Sequence, residues 1–321
     1  MEFFKYAIVD IGANSVRMII YDIDTESGEF YPVDSVRNLL GLAAYKENGR
    51  LTADGAGKLS AIIRDYLARA NSVPCDKFSA FATASLRGLS NAEEFLKSVK
   101  RRFGVDIEII SGEEEAEFDF AAIRHRFGED SFPHGTVIDM GGGSTELIRF
   151  SGQSAEGLTS MQLGCVMLGK RFMAERKRSP FPKGAEIADI QAYTRKVLSQ
   201  NEAFRGKGEN VYLIGGTGKA IARIHAELCA QSAKNLDGYT FSGKDIARIR
   251  AFAEADIAAG APFIKKALSD RVSTIMPGIL AYEQIFDFLG TECATVCSSG
   301  VREGYLLAFI RRYLAEKTRE F

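Results

Sequence analysis

Histidine is scarce in this chain of 321 residues: His125, His134 and His225 are the only three, scattered along the sequence. That excludes a histidine-rich metal site and makes a Ser-His-Asp triad a poor expectation. Cysteine is also sparse, with five residues, an odd number and widely separated, which predicts reduced thiols in a cytoplasmic setting rather than a disulfide framework. Cys293 and Cys297 have a spacing that metal sites use, but no second Cys/His pair accompanies them, and buried small residues are the better reading. No apolar run approaches the length of a membrane span, and Glu2 and Asp10 interrupt the start where a signal peptide would be apolar. No membrane partner is expected. An excess of one charge is missing too: 41 Lys and Arg against 42 Asp and Glu give a formal net charge of −1. A general affinity for nucleic acid is therefore not expected, and any polyanion has to be met by local basic clusters. What remains for chemistry is carboxylates, arginines and backbone amides.

What is present centres on Val137-Ile-Asp-Met-Gly-Gly-Gly-Ser-Thr-Glu-Leu-Ile148, an apolar run that ends in an acid, turns through three glycines and resumes. Consecutive glycines weaken strand and helix interiors, so they mark a place where backbone approaches something closely. An acid before and a hydroxyl after fit a phosphate, with Asp139 available for a cation; a tight hairpin turn without a ligand explains the same residues. Residues 6–22 repeat the pattern. Asp10, Gly12, Ser15 and Ile19 fall on Asp139, Gly141, Ser144 and Ile148 at a constant offset of 129 residues. Two such strand-loop-strand units predict two similarly built domains facing each other across a cleft. Arg17 stands where the second copy has Glu146, so equivalent points carry opposite charge.

Periodicity places a helix over Leu51–Ala70 and a strand over Phe78–Ala84 that leads to Arg87. Ser90 or Asn91 can cap a helix from Ala92 to Phe103. Arg87 thus lies between strand and helix, where open α/β sheets meet ligands, although a solvated loop arginine accounts for it equally. After a short strand within 105–110, Ser111 and Glu114 form a capping-box pattern opening a helix to about His125. Its glutamates suit the helix dipole. Glu113 and Glu114 read as capping and solvent, whereas Glu115 shares a face with Phe118, Asp119 and Ala122. The polar stretch 126–134 is the expected domain boundary. Met161–Gly169 reads as a strand, 176–183 as a basic loop able to guide a polyanion, and Ile187–Phe204 as a helix. Val211–Arg223 reads as strand, glycine turn and helix; Ala220 and the glycine spacing make it only superficially a Walker A loop, but free N–H groups at its helix start attract phosphate. Residues 244–268 read as helical, followed by a helix from Pro277 to Phe288 and a final strand, turn and helix from Ala294.

Taken together, the segments resemble the exopolyphosphatase / guanosine pentaphosphate phosphohydrolase family, within the superfamily of actin, the heat-shock chaperone ATPases and the sugar kinases. The resemblance runs from Tyr6 to about Leu307. It rests on Asp10-x-Gly-x-Asn-Ser15, Thr83-x3-Arg87 with Asn91, Ser111-Gly-x-Glu-Glu-Ala116, Asp139-x-Gly-Gly-Gly-Ser-Thr-Glu146, Gly215-Gly-Thr-Gly218, Pro277-Gly278 and Ser298-x3-Arg302-Glu-Gly304. Ala13 departs from the family's serine, and longer members continue into an additional helical domain.

The resemblance implies an α/β chain of two ribonuclease-H-like (actin-like ATPase) domains, mixed sheets flanked by helices, with the active site in the interdomain cleft. The domains would be residues 1–128 and 129–321, with the terminal helix 303–318 able to pack back on the first. It implies metal-dependent release of terminal phosphate from polyphosphate or guanosine pentaphosphate with Mg²⁺ or Mn²⁺. Glu115 is the implied catalytic base, Arg87 a second catalytic residue that clamps phosphate, and Asp139, Glu146 and Asp10 the metal-associated acids. Phosphate contacts fall to Asn14, Ser15, Arg87, Gly141, Gly142, Gly143 and Ser144, and the helix start at Gly216, Thr217 and Gly218 joins them. A homodimer is compatible with the family. Two rivals use the same fold: a kinase or ATPase seating adenosine at Gly215–Gly218, and a sensor that binds nucleotide without hydrolysis.

Overall fold

The computed structural model describes residues 3–128, 134–152, 154–173, 182, 184–232 and 234–319. The chain groups into two compact units, one running to Phe118 and resuming at Arg302, the other spanning Asp119–Val301.

The first unit is built on β1 (Phe3–Ile11), β2 (Val16–Asp24) and β3 (Phe30–Asn38), an antiparallel meander. A small hairpin, β4 (Lys46–Glu47) and β5 (Arg50–Leu51), precedes helix α1 (Ala53–Ser72). Then follow β6 (Lys77–Ala82), α2 (Ala92–Phe103), β7 (Ile107–Ile109) and α3 (Gly112–Phe127). The sheet order is β3-β2-β1-β6-β7, with β6 and β7 parallel to β1. Alternation decides which face each residue takes. Val9, Ile11, Met18 and Ile20 bury against Leu59, Ile63 and Tyr66 of α1 and Phe95 and Val99 of α2, each large aliphatic contributing about 1.5–3 kcal/mol.

The second unit repeats this plan. The meander β8 (His134–Met140), β9 (Thr145–Ser151) and β10 (Ser154–Met161) is followed by α4 (Cys165–Phe172) and α5 (Gly184–Leu198). Next come β11 (Val211–Ile214), α6 (Gly215–Leu228), β12 (Thr240–Ser242), α7 (Ile246–Ala258), α8 (Pro262–Ala267), α9 (Ile275–Leu289) and β13 (Cys293–Val296). Its order is β10-β9-β8-β11-β13-β12, the same five-strand arrangement with β12 added at one edge. The two units are therefore similarly built, as the repeat predicts, and have the ribonuclease-H-like topology that the family resemblance implies. Helix α10 (Val301–Arg319) returns the chain to the first unit, where Phe309 stacks against Phe4 and Tyr6, and Tyr305 against Phe81.

The units divide at 118/119 and 301/302, not at 128/129. The physical reason lies in α3: beyond Phe118 its apolar residues serve the second unit, Phe120 packing on Phe150 and Phe127 on Tyr212. Three local expectations also differ. Met161–Gly169 is not a strand, because β10 ends at Met161 and α4 begins at Cys165. Residues 244–268 are two helices, broken where Gly260 and Ala261 take positive φ. The glycine turn after β11 is already the first turn of α6. The basic segment at 176–183 lies, apart from Pro182, outside the described residues. Among the described residues no helix is long and apolar enough to cross a membrane, and all five cysteines are free of disulfides.

Candidate active site

The two glycine-containing loops are built alike. In each, the first glycine donates its N–H to the serine carbonyl three residues on, Gly12 to Ser15 and Gly141 to Ser144, both at 3.0 Å. The carbonyls that follow point away toward a helical segment. Ala13 and Asn14 oxygens accept from Ala43 and Gly41 at 3.1 and 2.8 Å; Gly141, Gly142 and Gly143 oxygens accept from Cys165, Val166, Met167 and Gly164 at the start of α4. A Cβ on Gly164 would run into the backbone of Gly142 and Gly143. It is Gly164, rather than the glycine run, that this close packing requires. Its consequence is chemical: among the described residues the N–H groups of Gly142 and Gly143, like those of Ala13 and Asn14, have no backbone acceptor. Adjacent unpaired amides form a concavity suited to a phosphate oxygen.

In the first unit, α3 opens with the expected capping box: Glu114 Oε2 accepts from Ser111 N at 2.7 Å and Ser111 Oγ accepts from Glu114 N at 3.0 Å. This fixes the first turn and leaves Glu115 to turn inward, 6% exposed. Arg87 meets it, donating from Nη2 to Glu115 Oε2 at 2.8 Å and from Nε and Nη2 to the Ile110 carbonyl at 3.1 and 2.9 Å. The guanidinium is held from one side, and Nη1 donates to none of the described residues. Asn91 does not cap α2 with its side chain; it pairs with the Leu51 backbone instead, at 2.8 and 2.9 Å, tying α2 to the hairpin.

Asp10 is engaged inside the first unit. Arg302, from the first turn of α10, donates from Nη1 to Asp10 Oδ2 at 2.9 Å, and Glu303 accepts from Tyr21 Oη at 2.8 Å. Burial pushes the Asp10 carboxyl up from its ordinary value, while Arg302 works the other way. The motif around Arg302 was visible in the sequence, but nothing local assigns it a partner 292 residues away.

In the second unit, Asp139 and Glu146 are direct cross-strand partners on β8 and β9, so both carboxylates lie on one face. Asp139 is 9% and Glu146 1% exposed. Ser160, missed by the sequence reading, donates to Glu146 Oε1 at 2.6 Å from β10. Gly215 sits at φ +74°, where a Cβ would strike Asp139 Oδ1, so the glycine is what admits the carboxylate. Burial, and then the field of Asp139, push the Tyr282 hydroxyl well above its ordinary range. Two facing carboxylates form a hard-cation donor set. Among the described residues no group of three His, Cys, Asp or Glu side chains converges. The pair therefore fits Mg²⁺ or Mn²⁺ that draws its other oxygens from water and phosphate, as Mg²⁺ commonly does. Of the three α6 positions named from the sequence, Thr217 is buried beside Arg271 and Cys165, Gly218 admits Leu213 and Tyr282, and Gly216, next to Arg271, is half-exposed.

The fold is a twofold ribonuclease-H-like one whose loops and acids suit phosphate chemistry. The chain belongs to the Ppx/GppA phosphatase family, whose model matches residues 19–312. It is 25% identical over 310 residues to exopolyphosphatase 1 of Mycobacterium tuberculosis, covering 94% of this chain and 87% of that protein. Among solved structures it resembles the Aquifex aeolicus Ppx/GppA family member, with a TM-score of 0.77 at 24% identity, covering 97% of this chain and 99% of that one. It likewise resembles an exopolyphosphatase from Cytophaga hutchinsonii, with a TM-score of 0.84 at 19% identity, covering 96% and 98%.

Proposed function

We propose that the protein is a metal-dependent phosphoanhydride hydrolase that releases the terminal phosphate of inorganic polyphosphate or guanosine pentaphosphate, with Glu115 as the base. The observation that carries this reading is the buried Glu115 carboxylate held against Arg87, whose Nη1 is left to bind an anion. Family membership and the exopolyphosphatase relatives support the substrate class.

Phosphoryl transfer needs positioning and neutralisation of charge more than covalent work by the protein. Groups of this kind occur in each unit: Glu115, Arg87, Asn14 and Ser15 in the first, and the Gly142 and Gly143 amides, Ser144 and the acid pair in the second. Asp139 and Glu146 would hold Mg²⁺ or Mn²⁺, which when bound supplies charge neutralisation on the phosphate oxygens. Arg87 Nη1, beside Glu115 in the first unit, binds and orients the terminal phosphate. Glu115 orients a water and takes its proton as the water oxygen bonds to phosphorus and the bridging P–O bond breaks, leaving orthophosphate and the shortened product. A base in this position contributes typically about 10²–10⁴-fold. A cytoplasmic setting accords with five cysteines that form no disulfide.

Phosphate release should be compared for long polyphosphate, short polyphosphate and guanosine pentaphosphate under Mg²⁺ and Mn²⁺. Glu115→Gln should lose about 10²–10⁴-fold in kcat while binding substrate nearly as well. A near-normal kcat in that variant removes Glu115 from the role of base.

A further inference from the structure

A cavity of about 920 Å³ opens at the C-terminal end of α9 in the second unit, and none of the candidate-site residues lines it. Its walls are tied together across three helices. Glu283 on α9 accepts from Gln191 Nε2 of α5 at 2.9 Å and from Arg250 Nη1 of α7 at 3.0 Å. The turn before α7 is pressed against the turn after α9: Gly243 N donates to the Glu292 carbonyl at 3.0 Å, and a Cβ on Gly243 would strike the Thr291 carbonyl. One helix therefore ends, and another begins, at this cavity.

Two nearly buried polar side chains in its wall lack partners. Gln284 is 9% exposed; its Oε1 accepts from Arg195 Nη1 at 2.7 Å, which turns Nε2 the other way, and Nε2 donates to none of the described residues. Thr291 is 8% exposed, and its Oγ1 has no hydrogen-bond partner among the described residues. Buried polar groups are normally bonded, so the pair marks a wall where another molecule completes the bonding. At the rim, Lys244, Asp287 and Glu292 are exposed, and none has an ion-pair partner among the described residues. Two of these charges have the wrong sign for their helix ends. Asp287 lies in the last turn of α9, where the dipole is already negative, and Lys244 in the turn that opens α7, where it is positive. Each arrangement costs stability, and a ligand of opposite charge at each end relieves it.

We propose that this cavity binds a small zwitterion carrying an ammonium and a carboxylate, an amino acid or a short peptide. The ammonium pairs with Asp287 at the end of α9, and the carboxylate takes Lys244 and the Gln284 amide. Glu292 brings the free carboxylates to two against one ammonium, which favours a neutral or basic ligand over an acidic one. Phe286 and Ile246 add apolar wall, and the volume lies within the range of small-molecule sites. The inference is independent of the hydrolase reading, because the cavity shares no residue with that site.

The test is a ligand-observed NMR titration of the full chain with L-lysine, L-leucine, L-glutamate and trialanine. Butylamine, which lacks the carboxylate, and butyrate, which lacks the ammonium, serve as single-charge analogues. L-lysine, L-leucine or trialanine should bind tighter than about 1 mM, L-glutamate more weakly, and both analogues about tenfold more weakly or worse. Preference for the free amino acids or for trialanine tells the two sources apart. Asp287→Asn and Lys244→Gln should each weaken binding about three- to tenfold while leaving Tm unchanged or slightly raised, because each removes a charge of the wrong sign. Gln284→Leu should weaken it similarly, and the two rim variants decide the matter even if that one folds poorly. No probe binding tighter than about 1 mM, analogues that bind as well as the zwitterions, or rim variants that bind like wild type overturn the proposal.

Discussion

Gly141→Ala separates the two reasons a glycine can stand in the 141–143 loop. Gly141 has ordinary negative-φ backbone, and a Cβ there would meet nothing nearer than the Ser144 carbonyl at 3.6 Å, a normal van der Waals contact. The folded chain therefore has room for the methyl. Such a replacement stabilises by about 0.4–1 kcal/mol by restricting the unfolded chain, which raises Tm by at most about 4 °C for a unit of this size. If a phosphate oxygen approaches the Gly142 and Gly143 amides closely, the same methyl crowds it. Displacing an anion from one preorganised donor costs on the order of 10²-fold in kcat. The expected result is an unchanged or slightly higher Tm with phosphate release reduced about 10²-fold. Gly215→Ala is the contrast, because φ +74° and the Asp139 carboxylate leave no room for its Cβ. It should lose about 1–2 kcal/mol from backbone strain alone and lower Tm and activity together. Thermal unfolding and a phosphate-release assay on both variants suffice. Activity within twofold of wild type for a well-folded Gly141→Ala refutes close phosphate approach at this loop.

Other outcomes follow from single contacts. Arg87→Lys cannot hold the Ile110 carbonyl and Glu115 while keeping a donor for phosphate, so kcat/KM should fall about 10–100-fold with Tm within a few degrees; an unchanged kcat/KM removes Arg87 from the site. Asp34, hydrogen-bonded first by Arg69, has its carboxyl held below its ordinary value, with burial opposing. A depressed folded value means its stabilisation is present above the unfolded value and fades as pH falls through the folded one. Asp34→Asn should therefore flatten the acid end of a urea-midpoint profile taken from about pH 5 to about pH 2, and a profile parallel to wild type contradicts that.

Much of the fold was legible because local signals agreed with the tertiary structure. The helix Ala92–Phe103 has the predicted ends, and the Ser111/Glu114 box forms both of its bonds. The repeat offset becomes two loops with the same Gly-to-Ser hydrogen bond and two sheets with the same order. One error falls where distant groups decide. Leu163, Cys165 and Met167 alternate like a strand, but the amides of Cys165–Met167 are taken by Gly141 and Gly142 carbonyls, and that fixes a helix start. Residues 244–268 do hold a local stop, Gly260-Ala-Pro262, which the Ala-rich helical reading passed over. Asp256 completes the break: its carboxylate accepts from Phe263 N and Ile264 N at 2.9 and 3.0 Å and restarts the chain as α8. Glu115 was readable because helical spacing alone turns it inward; Ser160 was not, because strand register brings it beside Glu146.

The sharpest departure between repeat logic and structure concerns the two equivalent aspartates. The offset of 129 residues makes Asp10 the counterpart of Asp139, and the family resemblance implied a metal role for both. Their neighbours differ: Asp139 faces Glu146, whereas Asp10 faces Arg17 and binds Arg302. A cation beside Asp139 relieves two facing carboxylates, while a second cation beside Asp10 competes with a guanidinium already there. The same chemical change should therefore have different consequences. Asp139→Asn should move the Mg²⁺ concentration for half-maximal activity upward by about tenfold or more, the range for loss of one carboxylate-linked metal contact. Asp10→Asn should shift it far less. It should instead lower Tm by about 3–10 °C, because it breaks a largely buried ion pair, worth here about 1–3 kcal/mol after allowing for partial exposure. Metal titrations and thermal unfolding on the two variants distinguish these cases. If Asp10→Asn raises the metal requirement as much as Asp139→Asn, Arg302 is not the partner that fixes the role of Asp10.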